Sequence, residues 1–429
     1  MSKRLKIAIA ASGFIVIIGI IAVSLGAGPF AGKKLFNNRQ QNTTQEGQKN
    51  NAATSGTPGL TGNSAGNNGK QQEKPSESSK DRKRMKDVKV RAVYLSGDSA
   101  GNKRVIDKIV ELSKATELNA VVIDVKEAGK VNYATDLPEV KKVMANYSVP
   151  LYDAESVIKT LHDNNIYVIG RVVCFRDPVL AEKRTDLAVK KVNGQLWKEG
   201  KFAWTNPYKE EVWQYNIDIG KEALNKGFDE IQFDYVRFPA TKNSEVNYGS
   251  NMPSKSDTIC KFLETAKKQL HDEMGATVSA DVFGIICESK GDVEGIGQEL
   301  EKVGESIDYI SPMIYPSHYA NASHGINGNG VGQIINDVKF TAPDLEPYKV
   351  VYNSLVKAKS RIEKVQGYNA KIRPYLQAFT ASWLSKGYYQ TYGTEQIRQQ
   401  IKAVYDAGGD EWILWNPSNI YPEDVFEKR

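Results

Sequence analysis

From residue 88 onward, eight short apolar runs alternate with segments of helical spacing, and no other feature constrains the fold as tightly. The runs are VKVRAVYL (88–95), AVVIDV (120–125), IYVIGRVVCF (166–175), FDEIQF (228–233), ATVSADVFG (276–284), IDYISPMIYP (307–316), IRPYLQAF (372–379) and EWILWNP (411–417). Between them the spacing predicts helices over Arg104–Glu117, Asp153–Asn164, Lys209–Asn225, Lys255–Met274, Ile296–Val303, Tyr348–Lys364 and Glu395–Ala407. Strands that are apolar on both faces belong in a parallel sheet covered on both sides. Eight strands alternating with helices over this length fit a (β/α)8 TIM barrel, an α/β fold. The rival, a doubly wound open sheet, calls for a glycine-rich phosphate loop after the first strand. GDSAG (97–101) does not supply the G-x-G-x-x-G spacing.

The barrel domain is expected to span 87–429. The segment before it has a different character. Lys3, Arg4 and Lys6 precede an uncharged run from Ile7 to about Ala27. A run of roughly 20 apolar residues is long enough to cross a bilayer, and basic residues before it direct the rest of the chain to the outside of the cell. Residues 1–30 are therefore expected to be a transmembrane anchor or, if cleaved, a signal segment. Residues 31–86 are rich in Asn, Gln, Gly, Ser and Thr with almost no large apolar side chain. Such a segment cannot bury enough surface to fold and is expected to be a flexible, disordered linker. The expected location is the cell membrane, single-pass, with the barrel extracellular.

Charge is distributed unevenly. Residues 1–86 hold 14 Lys+Arg against 4 Asp+Glu, whereas 87–429 hold 43 against 47. The folded part is slightly acidic, which excludes a basic nucleic-acid-binding face. The three cysteines, Cys174, Cys260 and Cys287, suggest neither a disulfide framework nor a zinc site. Four scattered histidines offer no metal-ligand spacing, so no metal and no cofactor is expected.

In an α/β barrel the active site lies at the C-terminal ends of the strands. Those ends carry Asp124, Lys126 and Glu127 on the second run, Arg171 on the third, Gln232, Asp234 and Arg237 on the fourth, and Asp281 on the fifth. Tyr315 and His318 end the sixth, and Trp415 and Asn416 the eighth. Ionised groups are costly to bury without partners, so their collection at one end points to a site. Trp197, Trp204, Trp383 and Trp415 are expected at the same mouth, where flat aromatic faces suit sugar rings. Strand alternation puts Gln232 and Asp234 on the inner face, with Phe233 and Tyr235 packing outward.

The stretch WTNPYKEEVWQYNIDIGKEALNKGFDEIQFDYVRFP (204–239) resembles a bacterial family labelled as glycoside hydrolases with TIM-barrel domains. VRAVYLSG, AVVIDVKEAGKVNY, RVVCFRDPVLAEKR, SADVFG and ISPMIYPSHY extend the resemblance over about 88–420. It implies a carbohydrate-active barrel whose partner is a polysaccharide or oligosaccharide. Glycoside hydrolysis uses two carboxyl groups flanking the bond. The expected pair is Asp234, as nucleophile or charge stabiliser, and Asp281, as proton donor, with a retaining outcome favoured by their adjacent strands. Asp124 and Glu127 stand in reserve. Lys126, Arg171, Gln232, Arg237, Tyr315, His318, Trp204, Trp415 and Asn416 are the expected orienting or substrate-binding residues. The alternative is a cell-surface barrel that binds carbohydrate without cleaving it.

Overall fold

The computed structural model describes residues 84–145, 150–292 and 294–429. Eight parallel strands close on themselves: β1 (Arg91–Leu95), β2 (Ala120–Glu127), β3 (Tyr167–Val173), β4 (Glu230–Asp234), β5 (Thr277–Phe283), β6 (Tyr309–Ile314), β7 (Tyr375–Gln377) and β8 (Trp412–Trp415). Each pairs with its neighbours in sequence, and β1 pairs with both β2 and β8, which completes the barrel. The seventh strand is broken by Pro374, so a short piece, Lys371–Ile372, pairs with β6 ahead of β7 itself. Proline donates no ladder hydrogen bond, which accounts for the interruption.

The connecting helices are α1 (Lys103–Ala115), α2 (Ala154–His162), α3 (Glu210–Lys226), α4 (Lys255–Lys267), α5 (Leu300–Val303), α6 (Pro347–Ile362) and α7 (Thr394–Asp406). They follow the expected segments closely. Side chains of Asn102, Asp153 and Ser254 cap α1, α2 and α4 by accepting backbone N–H groups left free in the first turn. Gly227 ends α3 in the left-handed region, φ 114°, where a Cβ would be strained. Helix α4 continues through a π-helical turn, Lys268–Asp272.

Two apolar layers result. Outward-facing strand residues such as Val121, Ile123, Val172, Ile231 and Phe233 pack under the helices. A smaller inner layer, with Ala92, Ala120, Val122, Ile169 and Ile413, fills the barrel. Met85 and Val88 pack against this inner layer, so the segment entering β1 covers the floor. Aspartates just before two strands lock the register there. Asp229 accepts from Val168 N and lies 2.8 Å from His162 Nε2; Asp308 accepts from Val278 N and lies 2.8 Å from His271 Nδ1.

No described helix is long and apolar enough to cross a membrane. The anchor expected over 1–30 and nearly all of the linker expected over 31–86 lie outside the described residues.

Candidate active site

The inner face of β4 carries three polar side chains one above another, and each meets a different layer of the barrel. Glu230 at the floor is bonded by Arg373, Ser279 and Tyr167. Gln232, one layer up, takes the Tyr375 hydroxyl at 2.5 Å and donates to Ser311 at 3.2 Å. Asp234 at the strand's end reaches the mouth.

At the mouth Arg171, from β3, gathers the acids. Its Nε and Nη2 donate to Asp234 Oδ2 at 3.0 and 2.6 Å. Its Nη1 donates to Asp124 Oδ1 at 2.5 Å and to Glu127 Oε2 at 3.0 Å. Nε also lies 3.9 Å from Asp281 Oδ2. Burial works against the Arg171 charge, but Asp124, Asp234 and Glu127 outweigh it and hold the guanidinium protonated. The four carboxyl groups differ in what else they touch. Asp234 Oδ1 accepts from the backbone N–H of Tyr235, which adopts the left-handed region at φ 48°. Strain of this kind in a non-glycine residue concentrates at functional sites. Asp124 Oδ2 accepts from the Tyr94 hydroxyl at 2.6 Å. Asp281 Oδ1 is buried with no hydrogen-bond partner among the described residues.

Burial drives the titration of these groups. Desolvation pushes Asp124 up to about 6, with the Arg171 charge opposing it. Desolvation, reinforced by the neighbouring charge of Asp234, raises Asp281 well above the ordinary carboxylate range. A buried carboxyl group raised by a like neighbour keeps its proton and becomes a donor.

A bulge explains the unusual face of β2. The β2–β3 register shifts between Asp124 and Lys126, so Asp124 and Glu127 both face inward while Val125 and Lys126 face outward. Lys126 is therefore not at the mouth. It is fully buried outside the barrel, paired with Asp177 at 2.6 Å and bonded to Asn216 of α3. Further sequence expectations are corrected. Gln232 lies in the closed middle layer, with both amide ends engaged. Trp204 is fully buried and serves as a platform for Arg237, 4.7 Å from its ring, not for a sugar. Asn416 spends its amide on the loop around it, donating to Ala378 O and Ile420 O and accepting from Ser418. Tyr235 packs at the edge of the outer layer, beside Trp204, with the Arg176 guanidinium 3.8 Å from its ring centre.

Arg237 is 1% exposed, wedged among Trp204, Tyr235 and Phe283. Opposite this charged wall stands an aromatic one. Trp415 stacks on Tyr315 and Trp383 on Phe379; both tryptophans are half-buried, and Tyr315 lies buried behind Trp415. His318 is exposed beside Trp383. Trp197 is buried against Trp204. Tyr94 is the site residue that sequence reasoning missed. Its signal was its place on the inner face of β1, two residues after Ala92. A cavity of about 780 Å³ opens on the outer wall between α1 and α2, beside Tyr152 and Asp153, and shares no residue with the carboxyl cluster.

The fold and site together are those of a closed parallel α/β barrel with an acidic cluster and an aromatic wall at its C-terminal mouth. The chain belongs to the family described as "Putative glycosyl hydrolase domain" (DUF4015), whose model matches residues 92–421. Among solved structures, a hypothetical protein from Ruminiclostridium thermocellum is 45% identical over 45% of this chain and 99% of its own, with a TM-score of 0.42. The PgaB (BpsB) glycoside hydrolase domain from Bordetella bronchiseptica is 12% identical over 79% of this chain and 99% of its own, with a TM-score of 0.54, and shares the fold. The spore cortex-lytic enzyme SleL from Bacillus megaterium is 14% identical over 78% of this chain and 72% of its own, with a TM-score of 0.44. No curated protein matches the chain in sequence.

Proposed function

We propose that this barrel hydrolyses glycosidic bonds of a cell-surface or extracellular polysaccharide, with Asp281 as the proton donor and Asp234 as its ionised partner. The observation that carries this reading is Asp281 Oδ1: buried, unpartnered among the described residues, and beside a carboxylate that raises its proton affinity. Arg171 bonds to Asp234 through two nitrogens, which suits a nucleophile or a stabiliser of an oxocarbenium-like centre. Tyr94 and Asp124 fix the far side of Arg171.

Spacing supports a retaining outcome. Arg171 Nε lies 3.0 Å from one carboxyl oxygen and 3.9 Å from the other. The two oxygens are therefore within about 7 Å, which favours the roughly 5–5.5 Å of retaining enzymes over most of the 6.5–9.5 Å range of inverting ones. The same closeness favours hydrolysis over a barrel that only binds sugar. The N-terminal apolar run supports a substrate outside the cell. The test is to incubate the protein with cell-wall and exopolysaccharide glycans and follow the anomeric proton by NMR. New reducing ends with retained configuration are the expected result. Binding without cleavage across the panel would replace this reading with the carbohydrate-binding one.

A further inference from the structure

The charged wall of the mouth holds a second arrangement, which rests on the hydrolase reading and adds the class of sugar. β2 ends in a two-residue turn, Ala128 (φ 48°) and Gly129 (φ 80°), which leads into Lys130–Val131. Paired positive φ values give a tight hairpin turn. A Cβ on Gly129 would meet Asp177 Oδ1 at 2.3 Å, so only glycine fits there. The turn sets Glu127 at the rim. Its side chain is 33% exposed, against 8% for Asp234 and 2% each for Asp124 and Asp281. It is the one acid of the four with room to swing into solvent.

Glu127 bridges two arginines. Oε2 takes Nη1 of Arg171 at 3.0 Å, and Oε1 takes Nη2 of Arg176 at 3.3 Å. Arg176 is held by the Tyr235 ring, and its Nε is buried without a partner among the described residues. Arg237 lies over the same ring at 5.1 Å. Its Nη2 is likewise unpartnered, and no carboxylate among the described residues is within ion-pair distance. Glu199 is the acid whose charge acts most on Arg237. Burial, with the charge of Asp234, raises Asp281 well above the ordinary carboxylate range, and burial pushes Asp124 up to about 6, which lessens the negative charge of this wall. Two guanidinium groups held by aromatic rings, Arg171 over Tyr94 and Arg176 over Tyr235, thus face one displaceable carboxylate, with Arg237 behind them. Guanidinium pairs of this kind match a carboxylate in charge and geometry.

We propose that the Arg171–Arg176 pair is the subsite for a carboxylate borne by the substrate, and that the barrel acts on an acidic polysaccharide containing a uronic acid or a like sugar. Glu127 occupies the subsite when it is empty. The sugar carboxylate takes over its two nitrogens, and Glu127 turns outward. Arg237, behind Tyr235, is a positioning residue that adds positive field without touching the sugar.

The test is an NMR titration of the Arg Nε–Hε signals of the ¹⁵N-labelled full chain with D-glucuronate, D-glucose and acetate. Glucuronate is expected to move the Arg171 and Arg176 signals at millimolar concentration, glucose is not, and acetate binds at least about tenfold more weakly. Glu127→Gln should tighten glucuronate about tenfold by removing the competing negative charge, and Arg176→Gln should weaken it about tenfold at an unchanged melting temperature. Equal response to glucose and glucuronate, or weaker binding in Glu127→Gln, overturns the proposal. Acetate binding as tight as glucuronate overturns the sugar assignment. Asp281→Asn separates the two readings: it should lose hydrolysis and keep glucuronate binding. Cleavage of neutral glycans without glucuronate binding sinks only this inference. Glucuronate binding without any cleavage sinks the hydrolase reading.

Discussion

At the floor of the barrel one arginine meets one carboxylate; at the mouth one arginine meets four. Glu230 and Arg373 are both fully buried, and each Glu230 oxygen has at least two donors from Arg373, Ser279 and Tyr167. The carboxylate of the pair is fully donor-bonded, although Arg373 Nε is itself buried without a partner among the described residues. Arg171 at the mouth is shared among Asp124, Glu127, Asp234 and Asp281, and one Asp281 oxygen is left without a donor among the described residues. Both ends are buried, so burial alone does not distinguish them. Stoichiometry does. A matched buried pair specifies the fold, whereas surplus acids raise one another's proton affinity and leave a proton available for chemistry.

The largest expected effect lies at the mouth. Asp281→Asn and Asp234→Asn should each lower the rate of reducing-end release by about 10²–10⁴-fold, the usual contribution of a positioned acid or base, with the fold intact by circular dichroism. Full activity in either variant removes that residue from the mechanism.

The next effect belongs to matched pairs. Glu230→Gln should cost about 3–5 kcal/mol in denaturant unfolding, because Arg373 is left as an unpaired buried charge. Lys126→Met should cost a similar amount through Asp177 and leave the kinetics of the surviving folded protein unchanged. A loss of turnover in folded Lys126→Met would bring that residue back to the site.

The pH dependence of stability reports the buried acids of both ends, since desolvation also raises Glu230 at the floor, and variants at the mouth isolate the mouth's share. Asp124 titrates at about 6 in the fold against 3.8 as an ordinary aspartate, and Asp281 is raised as well. Groups with raised folded pKa values stabilise the fold fully below their unfolded pKa and lose that contribution as pH rises through the folded one. Wild-type stability should therefore decline from about pH 4 through pH 6 as Asp124 titrates, and onward as Asp281 does. The double variant Asp124→Asn/Asp281→Asn should flatten the decline and be more stable than wild type at neutral pH. Parallel curves for wild type and double variant would show that these acids are not strained by burial.

The smallest effect is expected on the aromatic wall. Trp383→Ala should raise KM up to roughly tenfold while costing only about 1 kcal/mol of stability, the order of one lost ring stack on Phe379. An unchanged KM would remove Trp383 from the substrate path.

The barrel was legible because its strands read as largely apolar runs and its helices keep their spacing, so tertiary packing had little conflict to resolve. The mouth was legible where alternation holds: Asp234 follows Gln232 and Glu230 on one face, and Asp281 follows Ser279 on the next strand. It was misread where alternation fails. The β2 bulge turned Lys126 away, and the left-handed Tyr235 swung its ring to Arg176. Gln232 was on the correct face but one layer too deep, a depth that strand ends alone do not reveal. Trp204 and Asn416 sit in loops, where sequence gives the neighbourhood of a side chain but not whether packing or capping already consumes it.

The central claim is that Asp281 stays protonated because it is buried beside Asp234. Its most direct test is a ¹³C NMR titration of the aspartate carboxyl groups in the full chain, wild type and Asp234→Asn. The account predicts an Asp281 resonance that titrates well above the ordinary value of roughly 3.9 and moves down when the Asp234 charge is removed. An Asp281 carboxyl that titrates near that ordinary value, or one indifferent to Asp234→Asn, would contradict it.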